Sequence, residues 1–267
     1  MRAIRNLCAA VVFAAAGFLP QAQATSSTTD QSDIWSVIGE DGWGFQMIQR
    51  GSVIFVTLYV YDETRIPIWY TATLNYVGDF VWSGDLILTS GPWFGTVPFN
   101  PNTVTVRKVG TMRWTAKTTT TGELRYDVDG VPVVKNATRF LAGYDDFSGK
   151  YGGGLHVDAT GCRSPADNGT IEVFSTLTVT QNGRAMTLVA NLGIGGSCTF
   201  NGVLSQAGQF GQVDGTASCD GDTPGLFQIF EMQVNISGLT FRFETDPDPT
   251  DGCKESGWFG GMRATTF

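Results

Sequence analysis

The stretch from Cys198 to Cys219 constrains the possible folds of this chain more than any other. A two-residue turn centred on Gly208-Gln209 folds it into a hairpin. Leu204 then meets Val213, Gly202 meets Gly215, Phe200 meets Ala217 and Cys198 meets Cys219. Directly opposed residues of an antiparallel pair have Cα atoms roughly 4.5–5.5 Å apart, inside the range a disulfide tolerates. Register therefore selects Cys198–Cys219 from the possible pairings of the four later cysteines. Cys162–Cys253 follows by elimination and ties the start of this half to its end. Closing so long a loop is worth roughly 4–5 kcal/mol in the chain-entropy model.

The neighbouring segments repeat the pattern. Asn182-Gly183 lies between two alternating runs and suits a two-residue turn pairing Val179 with Met186 and Leu177 with Leu188. A turn at Ser237-Gly238 pairs Ile236 with Leu239, Val234 with Phe241 and Met232 with Phe243, all on one face, with Phe227 and Ile229 on the other. Strands are expected near 149–157, 169–180, 185–192, 196–204, 212–219, 226–236, 239–244 and 256–265. Consecutive hairpins make a meander. A meander stapled end to end is most simply a barrel, which removes exposed edges.

The earlier half differs in composition. Six of the seven tryptophans precede Gly143, and all four later cysteines follow it. The segment Gly143-Tyr144-Asp145-Asp146 is the expected joint between a Trp-rich domain over 34–142 and a disulfide-stapled domain over 143–267. Ser52 to Tyr61 is nearly continuously apolar, so a central strand covered on both faces is expected there. Further strands are expected to begin at Pro67 and to cover 80–88, 103–107, 110–118 and 123–135. No helix-length stretch carries apolar residues three and four apart. The fold class is all-β: two antiparallel domains, the second an up-and-down meander closed or nearly closed into a barrel. A β-sandwich is the alternative.

Residues 1–24 read as a cleaved signal peptide. Arg2 and Arg5 precede an apolar run from Leu7 to Leu19, and Ala22-Gln23-Ala24 supplies small residues at a cleavage site. The run is short for a membrane-spanning helix. Export to the periplasm or medium is expected, in a compartment where four cysteines pair. Residues 25–33 form a polar leader with little to bury and are expected to be disordered. The formal charge is −8, and losing the two arginines makes it −10. That acidity argues against nucleic acid and anionic membrane as partners, and neither is expected. Phe267 resembles the terminal aromatic of outer-membrane barrels. Thr265, Arg263 and Gly261 make a poor lipid-facing strip, so that reading is set aside.

The first half carries Trp35, Glu40, Gly42-Trp43-Gly44, Gln49, Gly51, Tyr61-Asp62, Pro67, Trp69, Tyr126, Asp129-Gly130, Lys135 and Arg139. In order and spacing these resemble a repeat of exported proteobacterial proteins that has no assigned reaction. Asp41 replaces that repeat's usual Ser, and no Gly precedes Pro67. The second half is similar to the module that often follows it. Its marks are Tyr151-Gly152-Gly153, the four cysteines, Asn168-Gly169, Gln206-Ala207-Gly208 and Gly260-Gly261-Met262-Arg263. The resemblance implies architecture and export, and no catalytic residue.

Chemistry is sparse. His156 is the single histidine and sits on an expected strand. No nucleophile elbow accompanies it, and one imidazole cannot complete a zinc site once the cysteines are paired. No metal or other cofactor is expected. The acidic run Asp246, Asp248, Asp251 and Gly252 departs from calcium-loop spacing and reads as a solvated loop. Glu40 and Asp41 beside Trp43 are the best carboxylate cluster. With Trp69, Trp82 and Trp93 they are the candidate ligand-binding residues; some of the four tryptophans are expected to be exposed in one concave patch, and full burial of all four would end that idea. The balance falls on an exported, non-enzymatic binding or envelope-associated module whose partner is a small molecule, glycan or protein. A secreted carboxylate-dependent hydrolase acting on polysaccharide or cell wall is the alternative.

Overall fold

A computed structural model describes residues 29–220, 224–248 and 251–264. The signal-peptide reading and the first part of the leader lie outside these residues. Among them the regular structure is almost entirely antiparallel strand, arranged as two closed eight-stranded meanders.

The first barrel comprises β1 (Asp33–Ser36), β2 (Gly44–Arg50), β3 (Val53–Tyr61), β4 (Pro67–Gly78), β5 (Val81–Ser90), β6 (Thr105–Ala116), β7 (Thr121–Val128) and β8 (Val131–Arg139). Each strand pairs with the next, and β1 pairs with β8 to close the ring. The second comprises β9 (Gly149–Thr160), β10 (Gly169–Asn182), β11 (Ala185–Leu192), β12 (Ser197–Ala207), β13 (Phe210–Cys219), β14 (Gly225–Val234), β15 (Gly238–Thr245) and β16 (Lys254–Arg263). Here β16 pairs with β9. Closure of both rings replaces the sandwich alternative and extends the barrel to the first domain, where only a β-domain was expected.

Alternation explains most of the inward faces. Tyr70, Ala72 and Leu74 of β4 are buried, as are Met186, Leu188 and Ala190 of β11, while intervening residues face out. In β3, Ile54, Val56 and Leu58 are buried, but Phe55, Tyr59 and Tyr61 are exposed. The expected two-sided cover is therefore absent: a barrel buries one face only. β1 and β2 had no strand assigned to them. The expected strands over 103–107 and 110–118 are one strand, β6, with a bulge opposite Leu86 and Ile87. The expected 123–135 strand is two, turning at Asp129-Gly130.

The β12–β13 hairpin has the expected register, with Gly208 at φ 56 opening its turn and Cys198 opposite Cys219. The β10–β11 turn sits one residue later than expected, on Gly183-Arg184. Val179 therefore pairs with Leu188 and Gln181 with Met186. Moving the pairing by two residues keeps the same side chains inside. The β14–β15 register differs more. Asn235 accepts hydrogen bonds through its side chain from the Ser237 and Gly238 amides, so the loop spans four residues and Val234 pairs with Leu239. Ile236, expected inside, is 95% exposed. A bulge between Phe230 and Gln233, where Glu231 takes φ 51, inverts the alternation. Phe227 and Ile229 consequently join Met232 and Val234 in facing the core, contrary to the outward placement expected.

The leader is ordered where it is described. Gln31 is 2% exposed: its carbonyl accepts from Trp35 Nε1 and its side-chain oxygen from Trp114 Nε1. Burying those two indoles leaves two donors that need partners, and Gln31 supplies both. Next to it Arg139 is fully covered. Its guanidinium lies 4.7 Å from the Trp35 ring centre and 4.4 Å from that of Phe210 in the second barrel, and it pairs with Asp33 at 3.0 Å. Asp33 also accepts from the Gln209 amide. The β12–β13 turn thus docks on the closed end of the first barrel.

Candidate functional site

Of the six ligand-binding candidates of the first barrel, Glu40 and Trp43 are in contact, while Trp82 lies apart in the core. Trp82 is fully buried, edge-on to Tyr76 at 5.1 Å, and lines the filled interior. Trp43 packs against the core, and its Nε1 donates to Glu40 at 3.0 Å. Glu40 in turn accepts from Lys135 Nζ at 2.8 and 2.7 Å, and that ammonium lies 5.5 Å from the centre of the Trp43 ring. The Lys135 hydrogen bond, helped by that from Trp43, holds the Glu40 carboxyl below its ordinary pKa. A general acid needs the opposite shift. Asp41 is exposed on the same loop. Trp69 faces outward beside Tyr59, and Trp93 stands on the loop between β5 and β6. Trp82 therefore belongs to the core and to no exposed patch, whereas Trp69 and Trp93 are exposed.

The second barrel has an interior of another kind. Its end nearest the first barrel is stoppered by Phe147, Tyr151, Leu204, Met232 and Leu239, all essentially inaccessible. Tyr151 donates its hydroxyl to the Phe147 carbonyl, and Arg263 covers the Tyr151 ring. Towards the far end the inward positions become small, with Ser175 on β10, Ala190 on β11 and Ala217 on β13. A cavity of about 200 Å³ opens there. Leu177, Phe200, Ile229, Phe241, Phe243 and Phe259 form its apolar wall. Ser175 satisfies its hydroxyl on the Asn191 carbonyl, so the polar atom is used by the wall itself.

The mouth carries the polar and covalent features. Cys198–Cys219 lies in the wall, and Cys162–Cys253 spans the loops beside it, each with Cα atoms 4.0 Å apart. Ile171 and Ile194 are exposed on the rim, with Asp220, Thr245 and Glu255. The Glu255 side chain reaches solvent, yet crowding by protein atoms, with Asp251 and Asp248 adding negative charge, raises its pKa. Asp246, Asp248 and Asp251 line an adjoining hollow. Among the described residues no three His, Cys, Asp or Glu side chains are arranged to hold a metal ion.

His156 faces outward. It stacks on Trp258 at 3.7 Å between ring centres and bridges Asp158 at 3.0 Å and Glu172 at 3.2 Å. Burial pulls its pKa down, but the hydrogen bonds and charges of the two carboxylates together outweigh this and the net shift is upward. The cross-strand register explains the cluster: Glu172, His156 and Trp258 are direct neighbours on β10, β9 and β16.

Comparison with family models, with curated proteins and with solved structures gives no match. The cavity is a site the sequence reading missed. Its signal was present in the alternation: Ser175, Ala190 and Ala217 fall at inward positions where the first barrel places large rings.

Proposed function

We propose that this chain is a non-enzymatic binding protein that holds one small, mainly apolar molecule inside its second barrel. The observation that carries this reading is the open, apolar cavity of about 200 Å³ in an otherwise closed meander. Eight strands enclose a space that side chains either fill or leave for one small ligand. A dry apolar void of roughly 150 Å³ already accepts a benzene-sized guest. Carboxylate chemistry at Glu40 is a poorer reading, because its bond to Lys135 favours the ionised carboxylate, which has no proton to give as a general acid. Two disulfides are compatible with an exported protein, and no described helix is long and apolar enough to cross a membrane. Export through a cleaved signal peptide and kinship with the exported two-module family belong to the same proposal.

The test is a titration with N-phenyl-1-naphthylamine, an uncharged apolar dye that brightens when it leaves water. Saturable one-to-one binding is expected. Ala217→Phe, which fills the cavity, should abolish it without lowering the unfolding temperature. Equal binding by the filled variant would place the dye elsewhere and defeat the reading.

A further inference from the structure

The first barrel exposes apolar side chains at the end remote from its partner, and one loop concentrates them. Strand directions place the loops β1–β2, β3–β4, β5–β6 and β7–β8 together at that end. From Ser90 to Val106 the chain contains no charged residue and no histidine. Within that stretch Trp93 is 69%, Phe94 89% and Val97 90% exposed, and Phe99 is exposed as well. Ile38, Ile66 and Val131 stand exposed in or beside the neighbouring loops. Isolated surface hydrophobics are ordinary, but four on one loop with a wholly neutral sequence are not.

The loop is built to hold this arrangement. Pro92, Pro98 and Pro101 restrict it. Asn100 caps a short 3-10 turn at Pro101–Thr103 by accepting from the Asn102 amide at 3.1 Å. The Trp93 indole lies over Gly95, where any Cβ would collide with it, and sits 5.2 Å from the Phe94 ring. A restrained loop loses little entropy on docking, so the exposed rings are available at low cost.

The geometry points to insertion of the β5–β6 loop into an electrically neutral lipid surface. Every residue from Trp93 to Val106 is exposed, and such a tip enters a fluid interface without needing a matching groove. Trp and Phe are the side chains that settle at the headgroup boundary. The absence of charge over the whole tip removes the cost of carrying an ion into that layer. The two cations at its base are already paired, Arg107 with Asp129 and Lys108 with Asp85. Asp41, Asp62 and Glu63 in the adjacent loops, with an acidic whole chain, oppose approach to anionic lipid. This surface is independent of the cavity in the second barrel.

The experiment is co-sedimentation of the full chain with phosphatidylcholine vesicles, beside vesicles containing phosphatidylglycerol, with tryptophan emission read in parallel. The intact protein should pellet with the neutral vesicles and shift its emission to the blue. Trp93→Ser with Phe94→Ser should weaken partitioning at least about a hundredfold, since each ring buried contributes about a factor of ten or more. Both residues are exposed, so the variant should keep its unfolding temperature and its dye binding. The inference is overturned if the intact chain ignores neutral vesicles or if the double variant partitions equally. It is overturned too if binding requires phosphatidylglycerol and disappears in salt, or if the loop instead joins two copies of the chain in a dimer that the variant dissolves.

Discussion

The two barrels share strand number, direction and closure, yet their interiors are opposite. The first packs Trp35, Phe45, Trp82 and Trp114 at full burial, with Trp35 and Trp114 edge to face at 4.6 Å. Filling takes priority over polar satisfaction there: Trp82 Nε1 is buried with no hydrogen-bond partner among the described residues. The second puts Ser175, Ala190 and Ala217 at comparable inward positions and keeps a cavity. It also holds both disulfides, whereas the first barrel has no cysteine. Closure sets the diameter, and residue size decides whether the lumen is core or container. A container forgoes core packing at its open end, and both disulfides, one across strands and one between loops, sit at that end.

Four variants sharpen the contrast. Trp114→Ala should cost about 3–5 kcal/mol in denaturant unfolding, because it empties a filled lumen and strands Gln31. Replacing Cys162 and Cys253 by Ser removes a link spanning 91 residues and should cost about 4 kcal/mol, lost from the second barrel. Enlarging an inward alanine divides the barrels. Ala72→Leu in the first should destabilise by about 1–3 kcal/mol, whereas Ala190→Leu in the second should be neutral or stabilise by up to about 1 kcal/mol. Equal costs at the two alanines would break the comparison.

The smallest effect is one of pH. The single histidine is in the second barrel, and its native pKa is raised above 6.5. The native state therefore binds that proton more tightly than the unfolded chain. Its stabilising contribution is complete below the unfolded value and is lost as pH rises through the native one. The difference in unfolding midpoint between the parent and His156→Gln should shrink over that window. A difference independent of pH would remove the ion bridge from the account.

Much of the second barrel was legible because glycine turns fix register, and register fixes which side chains face inward. Cys198 opposite Cys219 followed from one turn at Gly208. The same reasoning failed at Phe227 and Ile229, because the bulge at Glu231 inserts a residue that alternation does not announce. In the first barrel the uninterrupted apolar run of β3 suggested cover on both faces, but exposed Phe55, Tyr59 and Tyr61 are compatible with a single-layered wall. Tryptophan content pointed to a ligand patch, whereas burial shows that Trp82 serves as core. The cavity was hidden for a related reason: a void is a difference between inward volumes on all eight strands, and no single segment displays it.

Xenon uptake tests the contrast between the two lumens most directly, since the atom enters apolar voids and needs no polar contact. Crystals or solutions placed under xenon pressure should show it among Phe200, Phe241 and Phe259 in the second barrel and nowhere inside the first. Xenon within the ring of Trp35, Trp82 and Trp114, or in neither barrel, would contradict the assignment of one lumen as core and the other as container.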